Sequence, residues 1–199
     1  MLSVVTPWSY ATVSHCCETF DHSSFGLNDP QSKTTALSEH IVPNGNSATA
    51  NFLNPDSLLL HCLKYGDYVR SIPAPHSQPP QCDFIVYADN KRCFHLIELK
   101  VTSSFGTRIR QLRDSLRSLL AIAGVKDFVD GFQSKRCCYF RKTPPSPIQT
   151  LKAIPAFNRS RTLIPRNGKK ITNTQQTSDI VRHGFELWHF SDTDVCQLV

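Results

Sequence analysis

The stretch from Cys82 to Val101 constrains the fold more than any other part of the chain. Two β-rich runs, Asp83 to Tyr87 and Arg92 to Val101, flank the turn-forming residues Asp89, Asn90 and Lys91. That pattern specifies an antiparallel hairpin. With a two-residue turn at Asn90-Lys91, Asp89 pairs with Arg92, and counting outward brings Asp83 opposite Glu98, with Cβ atoms about 5 Å apart. Side chains alternate across a strand, so Lys100 shares the face of Glu98.

Facing carboxylates repel each other, and among Phe94, Leu96, Ile97, Leu99 and Val101 they are also poorly solvated. A divalent cation between them removes both costs. Carboxylate oxygens are hard donors, so the expected ion is Mg2+, with Mn2+ as the alternative. Lys100 is then placed to orient or activate an attacking water, or to stabilise charge growing on a phosphate.

Asp83 followed by Glu98-Leu99-Lys100 resembles the PD-(D/E)XK nucleases, the restriction-endonuclease-like superfamily, in which an Asp and a Glu-x-Lys lie on neighbouring strands. The resemblance implies that Asp83 and Glu98 hold metal with help from the Leu99 carbonyl, and that Lys100 assists the water. The proline that usually precedes the Asp is replaced by Cys82, although Pro79 and Pro80 stand just upstream. Beyond the motif, Ser103-Ser104 is expected to cap a helix from about Gly106 to Ile122, with Ile109, Leu112, Leu116, Leu119 and Leu120 along one side. Family members often carry a Gln on this helix, and Gln111 matches by position. Arg108, Arg110, Arg113 and Arg117 on the same helix suit phosphate contacts. In all, the resemblance spans about residues 79 to 122. It also implies a further acid from an early helix, with Glu39 the first candidate and Asp56 the second; in a first helical turn the helix dipole alone explains Asp56.

Charge is unevenly distributed. The formal net charge is +6, and residues 133 to 183 hold eleven of the 22 Lys and Arg but one of the 16 acids, Asp179. The excess therefore lies in that segment, which includes Lys169 and Lys170 and suits counterion release on a polyanion. Its bland alternative is a solvated surface. Nucleic acid is the expected partner, DNA ahead of RNA. Phe157, interleaved with arginines and lysines between Thr143 and Lys170, suits a contacting loop.

Composition fits one globular domain over residues 1–199, with a basic, Pro-containing part from about 143; hydrophobic residues make up 40% and charged residues 19%. No apolar run reaches the roughly 20 residues that cross a bilayer, and no signal-peptide pattern opens the chain, so a cytoplasmic location is expected. Eight cysteines include two adjacent pairs but no Cys-x-x-Cys. They are expected to be reduced. His15, Cys16, Cys17 and His22 match no standard zinc spacing, and His95 is expected to be a satisfied core histidine.

Elsewhere, residues 1–50 read as irregular with one helix near Ser32 to Ile41. A second helix is signalled after Asn54 as cap, with Pro55 at its first position and Leu58, Leu59, Cys62 and Leu63 following. Pro73 to Pro80 reads as a loop, and strands are expected at Arg136 to Arg141 and near Phe185 to Phe190. The order suits a restriction-endonuclease-like α/β fold, a mixed central β-sheet flanked by helices. The functional expectation is a Mg2+-dependent phosphodiesterase, an endodeoxyribonuclease first, working alone, as a homodimer or in a larger assembly. The alternatives are an inactive module of the same fold that binds nucleic acid or protein, and an unrelated fold in which Asp83 and Glu98 lie far apart.

Overall fold

The computed structural model describes residues 16–28, 48–71, 81–101, 105–142, 166–172, 177–191 and 194–198. Glu39, the loop Pro73 to Pro80, the expected helix near Ser32 to Ile41, Ser103-Ser104 and most of the basic Pro-containing stretch lie outside these residues. The chain is mixed α/β.

Eleven strands are described: β1 (Cys17–Phe20), β2 (Ser24–Asn28), β3 (Thr49–Leu53), β4 (Leu60–Lys64), β5 (Phe84–Ala88), β6 (Cys93–Lys100), β7 (Ser134–Arg141), β8 (Arg166–Asn167), β9 (Lys169–Ile171), β10 (Glu186–Ser191) and β11 (Asp194–Gln197). Four helices accompany them: α1 (Tyr65–Ser71), α2 (Phe105–Leu120), α3 (Val125–Asp130) and α4 (Ser178–Arg182). Seven strands form one sheet in the order β1-β4-β5-β6-β7-β10-β9, and a second sheet runs β2-β3-β11-β8. In the large sheet β4, β5 and β6 are antiparallel neighbours, while β6, β7 and β10 run parallel. Parallel neighbours need crossovers, and α2 with α3 supplies the one from β6 to β7.

Strand alternation gives the large sheet two apolar faces. Ile85, Tyr87, Phe94, Leu96, Cys137, Tyr139 and Leu187 pack under Ile109, Leu112, Leu116 and Leu119 of α2 and Val125 and Val129 of α3. Phe84, Val86, Ile97, Leu99, Cys138 and Phe140 pack against Phe25, Leu27, Phe52 and Cys196 of the smaller sheet. Helices thus cover one face and a second sheet the other, where helices on both sides were expected. Each buried leucine of α2 contributes about 2 kcal/mol of apolar burial, which is why its i, i+3, i+4 pattern was readable.

Asn54 does not cap a helix. Its amide Nδ2 donates to the His22 and Leu58 carbonyls at 3.1 and 2.9 Å, and its Oδ1 accepts from the Leu58 N–H at 2.9 Å. Ser57 takes φ 46°, in the left-handed region that breaks a helix. Leu58 and Leu59 stay outside regular structure, and Cys62 and Leu63 fall in β4. Because Asn54 is fully buried, Asn54→Ala is expected to leave three polar partners unmatched. The expected loss is roughly 2–3 kcal/mol, read by urea unfolding. The supposedly irregular first 50 residues contribute β1, β2 and the start of β3.

Candidate active site at the end of strand β6

The β5–β6 connection is Asp89 to Arg92, four residues where two were expected. Lys91 N–H donates to the Ala88 carbonyl, and Lys91 sits at φ 63°. The register is unchanged, because Ala88 and Cys93 still close the loop. Phe84 pairs with Ile97, and one further step sets Asp83 opposite Glu98.

Three backbone or side-chain bonds pin Asp83 there. Its N–H donates to the Ile97 carbonyl at 3.0 Å, its carbonyl accepts from Tyr65 N–H at 3.1 Å, and its Oδ2 accepts from Leu99 N–H at 2.6 Å. The Asp83 carboxylate thus continues the β5–β6 ladder past the point where the β5 backbone leaves it. The N–H and C=O of one strand residue face the same neighbour, so the Leu99 carbonyl also lies toward Asp83.

Glu98 is fully buried on the helix face of β6, where the alternate positions Phe94 and Leu96 are core residues. Lys100 Nζ lies 2.6 Å from Glu98 Oε1, with 29% of its side chain exposed. Burying a carboxylate costs several kcal/mol unless a cation and hydrogen bonds compensate, and Lys100 supplies the charge. The Cys82 thiol reports the field of both acids: burial, then Glu98, then Asp83 push it well above its ordinary value.

Helix α2 reaches this corner through Gln111, whose Nε2 donates to the Gln81 carbonyl at 2.8 Å, two residues before Asp83. Asp83, Glu98, Leu99 and Lys100 are therefore brought together, while Gln111 holds the Gln81 carbonyl on the segment that leads to Asp83. The arginines are dispersed. Arg113 pairs with Asp114 at 2.7 Å, Arg117 reaches Asp179 on α4 at 2.6 Å, and Arg110 is exposed. Arg108 falls within α2, and its side chain lies outside the described residues. Arg117 accordingly serves as a link between α2 and α4.

Lys169 and Lys170 are exposed on edge strand β9, and Lys170 pairs with Glu186. Three strand spacings separate β9 from β6, roughly 14 Å. Even so, Lys169 belongs to the Glu98 row, since Glu98 pairs with Tyr139, Tyr139 with His189 and His189 with Lys169. Asp56 is a correction: it pairs with Arg92 at the hairpin-loop end of β6, the far end from Glu98, so it takes no part in this site.

Among the described residues, the one group of three close metal-binding side chains is His95, Cys138 and Cys196, which the sequence did not signal. Cys16 is a buried core residue, and burial with Cys16 and Glu18 pushes the Cys17 thiol up to about 11, unlike a ready metal thiolate. No described helix is long and apolar enough to cross a membrane. Comparison with models of protein families, with curated proteins and with solved structures finds no match for this chain.

Proposed function

We propose that this chain has a restriction-endonuclease-like core and hydrolyses phosphodiester bonds of nucleic acid, DNA first, with Mg2+ or Mn2+ as its cofactor. The observation that carries this reading is the register of Asp83 against Glu98, with Lys100 on the Glu98 face and 2.6 Å from it. The strand order β5-β6-β7, with α2 between β6 and β7, is consistent with it.

The donor set fits a hard cation. Asp83, Glu98 and the Leu99 carbonyl offer only oxygens, collected at one end of β6. When bound, the metal would lower the pKa of a water and neutralise charge on the phosphate. The chain's own part is positional. Leu99 N–H fixes the Asp83 carboxylate, and the buried wall holds Glu98 in one orientation. Lys100 stands half in solvent, where its ammonium can leave Glu98 to meet a phosphate oxygen or the attacking water. Gln111 ties the helix to the strand that carries Asp83.

A second reading keeps the fold without catalysis, as a module that binds nucleic acid or a protein. It is favoured by the engagement of both acids, Asp83 with Leu99 and Glu98 with Lys100. Labelled single- and double-stranded DNA and RNA separate the two readings when binding is followed in EDTA and cleavage in Mg2+. The nuclease reading expects metal-dependent cutting that Lys100→Ala removes while binding persists. Binding without cutting in Mg2+ and Mn2+ alike leaves the module.

A further inference from the structure

His95 on β6, Cys138 on β7 and Cys196 on β11 meet between the two sheets, with their donor atoms all within 4.8 Å of one another. All three are fully buried. We infer that they form a second metal site, separate from Asp83 and Glu98, for a thiophilic divalent ion, Zn2+ by its donor set. This site does not depend on the proposed cleavage.

Three observations point to a missing ligand. His95 Nδ1 meets Cys196 Sγ at 3.9 Å, and its Nε2 is buried with no hydrogen-bond partner among the described residues. A metal bond at Nδ1, the nitrogen that faces the sulfur, would give this buried imidazole the strong partner that the long sulfur contact does not. Cys138 and Cys196 bring two sulfurs to the same buried spot, and a divalent ion there would displace their protons.

Zinc with four protein ligands is tetrahedral. His95, Cys138 and Cys196 leave one position of that tetrahedron for a fourth donor. Two thiolates and a neutral imidazole balance the charge of Zn2+. Binding breaks the S–H bonds, forms metal–sulfur bonds and releases protons to solvent, with no change of oxidation state. The ion would staple β11, and with it the smaller sheet, to the centre of the large one.

The test is Co2+ titration of the metal-free, reduced full chain, followed by Zn2+ competition and elemental analysis of the untreated protein. Intense thiolate-to-metal charge transfer with tetrahedral ligand-field bands, saturating at one equivalent and bleached by Zn2+, is expected. Oxygen-only binding at Asp83 and Glu98 gives no sulfur charge transfer, so the two sites are distinguished. Cys196→Ser and His95→Gln should weaken binding at least about 100-fold. A folded wild type without the sulfur band overturns the inference, as does retention of band and affinity in Cys196→Ser. Binding of Cu+ without Zn2+ or Co2+ overturns the divalent assignment. If either variant fails to fold, the wild-type titration alone decides.

Discussion

Asp83→Asn is expected to lower metal-dependent phosphodiester cleavage by at least about 10³-fold while the protein stays folded. The substitution isolates charge from shape. Leu99 N–H donates to Asp83 Oδ2 at 2.6 Å, and the Oδ1 of an asparagine can accept that bond in the same place. Changing a charged acceptor to a neutral one costs roughly 1 kcal/mol, a small part of the 5–15 kcal/mol that holds a typical domain together. The hydrogen bonds from Asp83 N–H to Ile97 and from Tyr65 N–H to the Asp83 carbonyl are backbone bonds and survive. What disappears is one of two carboxylate charges facing the proposed ion. Circular dichroism and urea unfolding measured beside the cleavage rate separate the effects. A variant that folds normally and cuts at the wild-type rate removes Asp83 from any catalytic account.

Phe94→Ala is expected to have the largest effect on stability, about 4 kcal/mol. Phe94 is fully buried at the middle of the helix face. Its ring lies 5.2 Å from Phe132, 6.0 Å from Tyr87, 6.2 Å from Phe185 and 6.4 Å from Phe128, centroid to centroid. It therefore joins β5, α3, the second residue after α3 and the entry to β10 in one aromatic cluster. Those neighbours come from rigid elements and collapse poorly into the space left behind, so the cavity cost adds to the lost burial. At this chain length 4 kcal/mol corresponds to a fall in Tm of roughly 12 °C. A fall of only a few degrees would mean that the cluster repacks.

The β5–β6 hairpin and α2 were legible because their signals are local. Alternation fixed the faces of β6, turn residues fixed the register, and the leucine spacing fixed the buried side of α2. The loop length differed, yet Asp83 stayed opposite Glu98, since lengthening the loop by one residue on each side preserves the pairing sum. The smaller sheet was not legible, because β2, β3, β8 and β11 come from four distant segments and none spans more than five residues. Their pairing is decided by the apolar face of the large sheet they cover. At Asn54-Pro55 a helix-start signal lost to the hydrogen bonds that the Asn54 amide donates to the His22 and Leu58 carbonyls and accepts from Leu58 N–H. His95, Cys138 and Cys196 carry no spacing signal either. They sit on three strands in two sheets, and only folding makes them neighbours. The same absence of local signal hid the links from Arg117 to Asp179 and from Asp56 to Arg92, each of which joins separate segments.

The most direct test of the proposed activity is plasmid and oligonucleotide cleavage by the purified wild-type chain in Mg2+, beside EDTA and beside Asp83→Asn. Strand scission that requires the metal and is lost in the variant is the predicted result. Intact substrate in Mg2+ and in Mn2+, with a folded protein, contradicts the nuclease assignment.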